Sequence, residues 1–231
     1  MIAAAGSGQR LGAGGPKAFV SLAGKAMVEW SIAACRAAPS VRSIVVACPP
    51  GHAHALAGGE VGVVDGGATR AESVANALRA VGTELVAVHD AARPLVTPAL
   101  IEAVVATLTA DPAATGAIAA TPVSDTIKQA THPPLTGSET VKGARAIEST
   151  VDRSALWAAQ TPQVFRVEAL REALAADPER LAEATDEAMM VEAVGGRVLI
   201  HPSPPENLKV TTPLDLRLAE LLLGERANDG A

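Results

Sequence analysis

The chain has 231 residues, which suits one α/β domain of common size. Its formal charge of −6 lacks the basic surplus of a general nucleic-acid binder. Any polyphosphate it meets must therefore be neutralised by local cations and not by the field of the whole protein. Aromatic residues make up 2% of the chain and tyrosine is absent, so Ala, Val, Leu and Ile must build the core. No apolar run has the length of a membrane span, and no charged segment precedes an apolar stretch at Met1 as a signal peptide requires. The expectation is a cytoplasmic protein with neither a membrane nor a nucleic-acid partner. Cys35 and Cys48 lie in apolar surroundings without Cys-x-x-Cys or zinc spacing and read as buried free thiols.

The chain opens on a short apolar strand, Met1–Ala4, that runs into Gly6-Ser7-Gly8-Gln9-Arg10, a glycine-rich stretch through Gly15, and Pro16-Lys17. Small residues let a backbone approach a ligand closely. A loop of exposed N–H groups with two cations, Arg10 and Lys17, is the physical description of a phosphate cradle. It is not a dinucleotide fingerprint, because the glycine after Gly8 arrives at Gly12, one place late; nor is it a Walker loop, because Lys17 precedes Ala18. Four residues are few for a strand at the centre of a sheet, so further strand residues upstream of Met1 are expected.

Met27–Ala37 has helical spacing with a stop near Pro39. Ser43–Cys48 is a continuous apolar run ended by Pro49-Pro50-Gly51, as in a strand buried on both faces. There follow a strand Val61–Asp65 ending in Gly66-Gly67, a helix Arg70–Ala80, a strand Leu85–Val88 running into His89-Asp90-Ala91-Ala92-Arg93-Pro94, a helix Pro98–Leu108 and a strand Gly116–Ala120. This alternation predicts a Rossmann-like α/β fold: βαβ units in an open, mostly parallel sheet with helices on both faces.

After Pro122 the rhythm breaks. Asp125–Gln129 and Ala144–Ser149 read as extended segments around a polar loop, Thr131–Lys142. Residues 123–152 are thus a β-arm inserted in a single domain spanning 1–231. An isolated hairpin is marginal in water, so a neighbour should hold it, and a second subunit is a candidate. Trp157 and Gln160-Thr161-Pro162-Gln163 come next, then a helix Val167–Ala176, a helix Glu187–Ala193 opened by Thr185-Asp186, and a strand Arg197–His201. Glu206–Thr211 precedes a last helix from Pro213 to about Leu223, and Gly224–Ala231 reads as a frayed polar tail.

Ligands of open α/β sheets bind beyond the carboxyl ends of the strands. Asp90 either holds Mg²⁺ on a nucleotide or caps the turn after its strand; the cradle at Gly6–Lys17 favours the first. His89 reads as structural, and Arg93 as the residue that orders the loop. Ser73 is either a donor to a base or ribose or an ordinary solvated serine. Thr185 is either a helix N-cap or a substrate residue. Lys209 lies between Leu208 and Val210, where burial without an anion is costly, so a phosphate partner is expected.

In order, Ala4-Ala5-Gly6-Ser7-Gly8-Gln9-Arg10, Pro16-Lys17, Asp65-Gly66-Gly67, His89-Asp90-Ala91-Ala92-Arg93-Pro94, Asp125-Thr126-Ile127-Lys128, Thr150-Val151-Asp152-Arg153, Gln160-Thr161-Pro162-Gln163, Thr185-Asp186-Glu187 and Asn207-Leu208-Lys209-Val210-Thr211 resemble the 2-C-methyl-D-erythritol 4-phosphate cytidylyltransferase family. The likeness runs along essentially the whole chain, and the His89–Pro94 segment is its most specific piece. The first loop is also similar to that of sugar nucleotidyltransferases in general. The resemblance implies a homodimeric, Mg²⁺-dependent enzyme of the non-mevalonate isoprenoid pathway that joins CTP to methylerythritol phosphate and releases pyrophosphate. It also implies roles. Arg10, Lys17 and Lys209 match catalytic cations. Ala4, Ala5, Gly6, Gly8, Gly67, Ser73, Asp90 and Ala91 match the nucleotide site, with Asp90 also the metal residue. Thr126, Arg153, Thr185 and Lys209 match the acceptor site, with Thr126 and Arg153 near the dimer arm.

Three features depart from the family pattern: Ala68 stands where an acidic residue is frequent, the arm loop Thr131–Lys142 is long, and the first strand is short. A ribitol-5-phosphate cytidylyltransferase is the nearest alternative, which Ala91-Ala92 speaks against. A non-enzymatic nucleotide-binding module is another, against which stands the joint presence of Arg10, Lys17, Asp90 and Lys209. The chemistry accounts for the residue types. A phosphate nucleophile is already ionised and needs no general base, whereas two anions that must meet need positioned cations.

Overall fold

A computed structural model describes residues 1–6, 8, 11–12, 15–56, 61–131, 143–176 and 184–229. Its strands are β1 (Ile2–Ala3), β2 (Ser21–Leu22), β3 (Lys25–Ala26), β4 (Val45–Cys48), β5 (Gly62–Asp65), β6 (Leu85–Asp90), β7 (Gly116–Pro122), β8 (Ile127–Ala130), β9 (Ile147–Val151), β10 (Trp157–Arg166) and β11 (Val198–Pro202). Its helices are α1 (Met27–Ala37), α2 (Arg70–Leu78), α3 (Pro98–Thr109), α4 (Val167–Leu174), α5 (Glu187–Ala193) and α6 (Pro213–Asp229). The central sheet runs β11-β7-β10-β6-β1-β4-β5. All its pairings are parallel except those of β10, which is antiparallel to both β6 and β7. The mostly parallel sheet expected from the βαβ rhythm is therefore present.

Helices cover both faces, and the alternation along β6 shows how. Val86 and Val88 join a buried cluster with Val74 and Leu78 of α2, Leu170 of α4 and Val191 of α5. Leu85 and Ala87 face the other way, against Ala34 of α1 and Ile101 and Val104 of α3. Successive strand residues point to opposite faces, so a strand covered on both sides must be apolar throughout. The core is aliphatic, as the composition demands, with Phe165 its one fully buried aromatic among the described residues.

Several sequence expectations need correction. The largest is β10, ten residues at the heart of the sheet where no strand was expected. Pro162 and the polar Gln160, Thr161 and Gln163 contradict the pattern of a central strand. The chain accommodates them with a register shift against β7 between Ala159 and Gln163. β6 runs on through His89 to Asp90, so both are strand residues. β1 has two residues, not four. α6 continues to Asp229, so most of the expected frayed tail is helical. Cys48 is buried, but Cys35 is only half-buried; both are free. Among the described residues the arm strands β8 and β9 pair antiparallel with each other alone. Most of their residues are exposed, Ile147 by 64%. Residues 132–142, the body of the expected arm loop, lie outside the described residues.

The carboxyl end of β6 is locked by a buried histidine. His89 Nε2 lies 3.1 Å from the Arg93 carbonyl and Nδ1 lies 3.0 Å from Thr161 Oγ1. A carbonyl can only accept, so Nε2 carries the proton and Nδ1 accepts from the threonine hydroxyl. Thr161 Oγ1 in turn accepts the Asp90 N–H at 3.0 Å. His89 is structural, as its sequence context suggested, and burial pushes its pKa down to about 4 from 6.5. Between those values the unfolded chain takes up a proton that the folded chain refuses. Stability therefore rises with pH across that window and this contribution is complete above it. In urea unfolding between about pH 7 and pH 4, the parent should lose more stability than His89→Gln, by up to about 3 kcal/mol. Parallel curves for the two proteins would remove His89 from the pH response.

Candidate active site

A cleft of about 640 Å³ opens at the carboxyl ends of β1, β5 and β6, the expected end of an open α/β sheet. Ala4, Ala5, Gly6, Gly8, Lys17, Gly67, Ser73, Asp90, Ala91 and Lys209 line it, so the structure gathers residues that the sequence scatters over 200 positions into one place. Arg10 lies outside the described residues. Thr126, Arg153 and Thr185 are exposed and do not line the cleft. Thr126 and Arg153 stand at the base of the arm, one just before β8 and the other just after β9.

The loop after β1 closes on itself where the Lys17 N–H donates to the Gly6 carbonyl at 3.1 Å. Gly8 sits at φ +69°, and a Cβ there would lie 2.9 Å from that of Lys17, so only glycine permits the closure. This brings Lys17, first residue of a short 3-10 turn, to the cleft wall.

The turn from β5 to α2 is equally tight. A Cβ on Gly67 would stand 2.2 Å from Glu72 Cβ. The Gly67 N–H donates to Ser73 Oγ at 3.0 Å, and that hydroxyl donates to the Thr69 carbonyl at 2.9 Å. Ser73 is thus buried and not a solvated serine, and its donor is spent within the turn. Glu72 closes a capping box with Thr69 and also accepts the Ala68 N–H at 2.6 Å. That carboxylate is engaged within the turn and is not part of the cleft lining, so Ala68 still departs from the family pattern.

Asp90 is the carboxylate of the cleft lining among the described residues. Its Oδ1 accepts from Arg70 Nη2 at 3.0 Å and Nε at 3.3 Å, and its Oδ2 from Lys209 Nζ at 2.7 Å. The side chain is not a turn cap; it is the anion between two cations. Burial alone would raise its pKa, but Arg70 and Lys209 outweigh that and hold it well below the usual carboxylate range. Arg70 also donates through Nη1 to Glu187, a fully buried acid whose carboxyl burial pushes up. The anion that Lys209 meets in this structure is Asp90, and its side chain remains 42% exposed.

Sequence reading missed both Arg70 and Glu187. They are 117 positions apart, and the available signal was Arg70 at a helix start three residues past Gly67. Thr185 is not the cap of α5: Asp186 is, accepting the Met189 N–H at 2.9 Å. Arg93 orders the loop as expected, donating to the carbonyls of Asn207 at 2.8 Å and Ala159 at 3.3 Å.

Among the described residues no group of three or more His, Cys, Asp or Glu side chains is placed to hold a metal. A single cleft carboxylate nevertheless suits Mg²⁺, which takes one or two carboxylates and completes its shell with phosphate oxygens and water. Asp90 fits such an ion if Lys209 yields Oδ2. No helix among the described residues is long and apolar enough to cross a membrane.

Residues 1–225 match the family model described as 2-C-methyl-D-erythritol 4-phosphate cytidylyltransferase. A protein of that name from Azoarcus sp. is 40% identical, covering 98% of this chain and 94% of the relative. Another from Dechloromonas aromatica is 40% identical, covering 98% and 97%. The crystal structure of the Thermus thermophilus protein of that name superposes with a TM-score of 0.75 at 34% identity, over 96% of this chain and 98% of that one. With the loops that form the cleft inside the matched span, the chain belongs to the 2-C-methyl-D-erythritol 4-phosphate cytidylyltransferase family.

Proposed function

We propose that the protein transfers a cytidylyl group from CTP to 2-C-methyl-D-erythritol 4-phosphate, giving 4-diphosphocytidyl-2-C-methyl-D-erythritol and pyrophosphate in non-mevalonate isoprenoid biosynthesis. The observation that carries the reading is a cleft, lined by Lys17, in which Arg70 and Lys209 hold one ionised carboxylate, in a chain of this family. An acceptor phosphate oxygen attacks the α-phosphorus of CTP. The bond to the bridging oxygen breaks, and pyrophosphate leaves with the electron pair. The nucleophile is already anionic, so no base is required, and His89 beneath the cleft is neutral and fully engaged. Lys17 stands where its charge can meet the polyphosphate, and Arg10 is assigned the same task from the sequence. Gly67 and its turn are assigned to the cytidine. Mg²⁺ would be held by Asp90 and would offset phosphate charge as the leaving group departs. Lys209, once off Asp90, is assigned to the acceptor phosphate. A cytoplasmic location belongs to the proposal, since that is where the nucleotide substrate is available.

The proposal includes a homodimer in which each arm crosses to the other subunit, so that Thr126 and Arg153 serve the neighbouring cleft; Thr185 is assigned to the acceptor. The exposure of the arm and the absence of Thr126 and Arg153 from their own chain's cleft lining support this. Mixing CTP and Mg²⁺ with either methylerythritol phosphate or ribitol 5-phosphate tests the function directly. Pyrophosphate release should follow the first acceptor, and release with ribitol 5-phosphate alone would reassign the enzyme.

Lys17→Ala should lower kcat by about 10²–10³, the usual cost of one transition-state donor, with little change in melting temperature; unchanged turnover would take Lys17 out of the reaction. Asp90→Asn should raise the Mg²⁺ concentration for half-maximal rate, and superimposable metal titrations of mutant and parent would make Asp90 purely structural. Arg153→Ala and Lys17→Ala, each strongly impaired alone, should regain activity when co-refolded as mixed dimers, because one of the two clefts then has both native residues. Fully formed mixed dimers without activity, or a monomer at micromolar concentration in sedimentation, would defeat the shared site.

A further inference from the structure

The two oxygens of Asp90 are held by unlike partners. Lys209, on Oδ2, is 42% exposed and belongs to a segment outside any helix or strand. Arg70, on Oδ1, is backed by Glu187, the first residue of α5, which is 0% exposed. Glu187 Oε1 accepts from Arg70 Nη1, while Oε2 is buried with no hydrogen-bond partner. A guanidinium is a rigid planar fork. Holding Nη1 from behind therefore fixes the direction in which Nε and Nη2 meet Asp90.

The fold does not rest on this ion pair alone. Val74 and Leu78 of α2 and Ala188 and Val191 of α5 belong to one buried cluster with Leu170 of α4. The start of α5 is separately tied to β10, where Gln163 Nε2 donates to Asp186 Oδ2 at 2.9 Å. Apolar side chains in place of a buried ion pair are often as stable or more so, and a half-satisfied carboxylate is a poor choice for stability alone. Partners behind a ligating carboxylate do, however, orient it, and their loss typically costs about 10–100-fold in metal affinity or activity.

We infer that Glu187, acting through Arg70, is a positioning residue for Asp90: the buried pair fixes the carboxylate so that only Oδ2 is exchanged, from Lys209 to the divalent cation carried by the nucleotide. This rests on Asp90 being the cation's ligand. Lys209 is the partner that leaves and Arg70 the partner that stays.

Calorimetric titration of CTP into the full-length protein, with Mg²⁺ and then with EDTA, tests the assignment without relying on turnover. In Glu187→Gln the gain in CTP affinity that Mg²⁺ confers should shrink by about tenfold, while affinity in EDTA stays at the parent value. On an Asp90→Asn background, adding Glu187→Gln should change nothing further. Arg70→Lys, which keeps the charge and loses the fork, should reproduce the loss of metal response and serves if Glu187→Gln does not fold. Equal losses with and without Mg²⁺, a metal response matching the parent, or additive effects in the double variant would each overturn the inference. A parent that binds CTP equally with and without Mg²⁺, or an Asp90→Asn variant with an intact metal response, would instead remove the metal reading of Asp90 and this inference with it.

Discussion

The cleft depends on one carboxylate remaining charged inside the protein. Asp90 is 7% exposed, and desolvation by itself would favour its neutral form. A neutral Asp90 would lose its hold on Lys209 and would be a weak ligand for a cation. Arg70 and Lys209 reverse that preference, and Glu187 makes Arg70 tolerable in a mostly buried place. The two cations and the Asp90 carboxylate thus hold one another, and under the proposed function these same partners are what a polyphosphate with its cation would compete for.

The backbone beneath that cluster is held by polar groups placed within the sheet. Asn207 Nδ2 donates to Gln160 Oε1 at 2.8 Å and to the Thr161 carbonyl at 2.9 Å, and Ser203 Oγ donates to the same Gln160 oxygen at 2.9 Å. The Val210 N–H reaches the Ala92 carbonyl at 2.8 Å. Together with Arg93 and Thr161, these bonds join the turn after β6, the strand β10 and the segment that delivers Lys209. A buried network of this kind is costly if any member is unpaired and rigid when nearly all are paired. Rigidity is what a site needs when its chemistry is mainly the placement of charges.

The same network explains what could be read from the sequence and what could not. The helices and parallel strands carry local signals: apolar periodicity, proline and glycine punctuation, and turns rich in small residues at the ends of β1, β5 and β6. Ten candidate residues fell in one cleft because those turns share one edge of a parallel sheet. β10 was illegible because its middle residues serve the network, so Gln160, Thr161 and Gln163 face inward where a strand pattern calls for apolar side chains. Arg70 and Glu187 were illegible because nothing local relates them; their pairing exists only once the fold brings the starts of α2 and α5 together. Thr185 was one residue off, because Thr and Asp are both good caps and only the backbone decides which is used.

The arm follows a different logic from the rest of the chain. The strands of the central sheet, by contrast, are joined to neighbouring strands and covered by helices of the same subunit. β8 and β9 pair only with each other among the described residues, and their side chains, Ile147 foremost, face outward. A two-stranded ribbon of this kind gains little from folding alone. Arg153, two residues beyond β9, inherits that weakness. Its position is only as well defined as the surface against which the arm lies. In the dimer proposed above, that surface is the other subunit, and the residues that meet the acceptor become ordered by the same contact that completes the site.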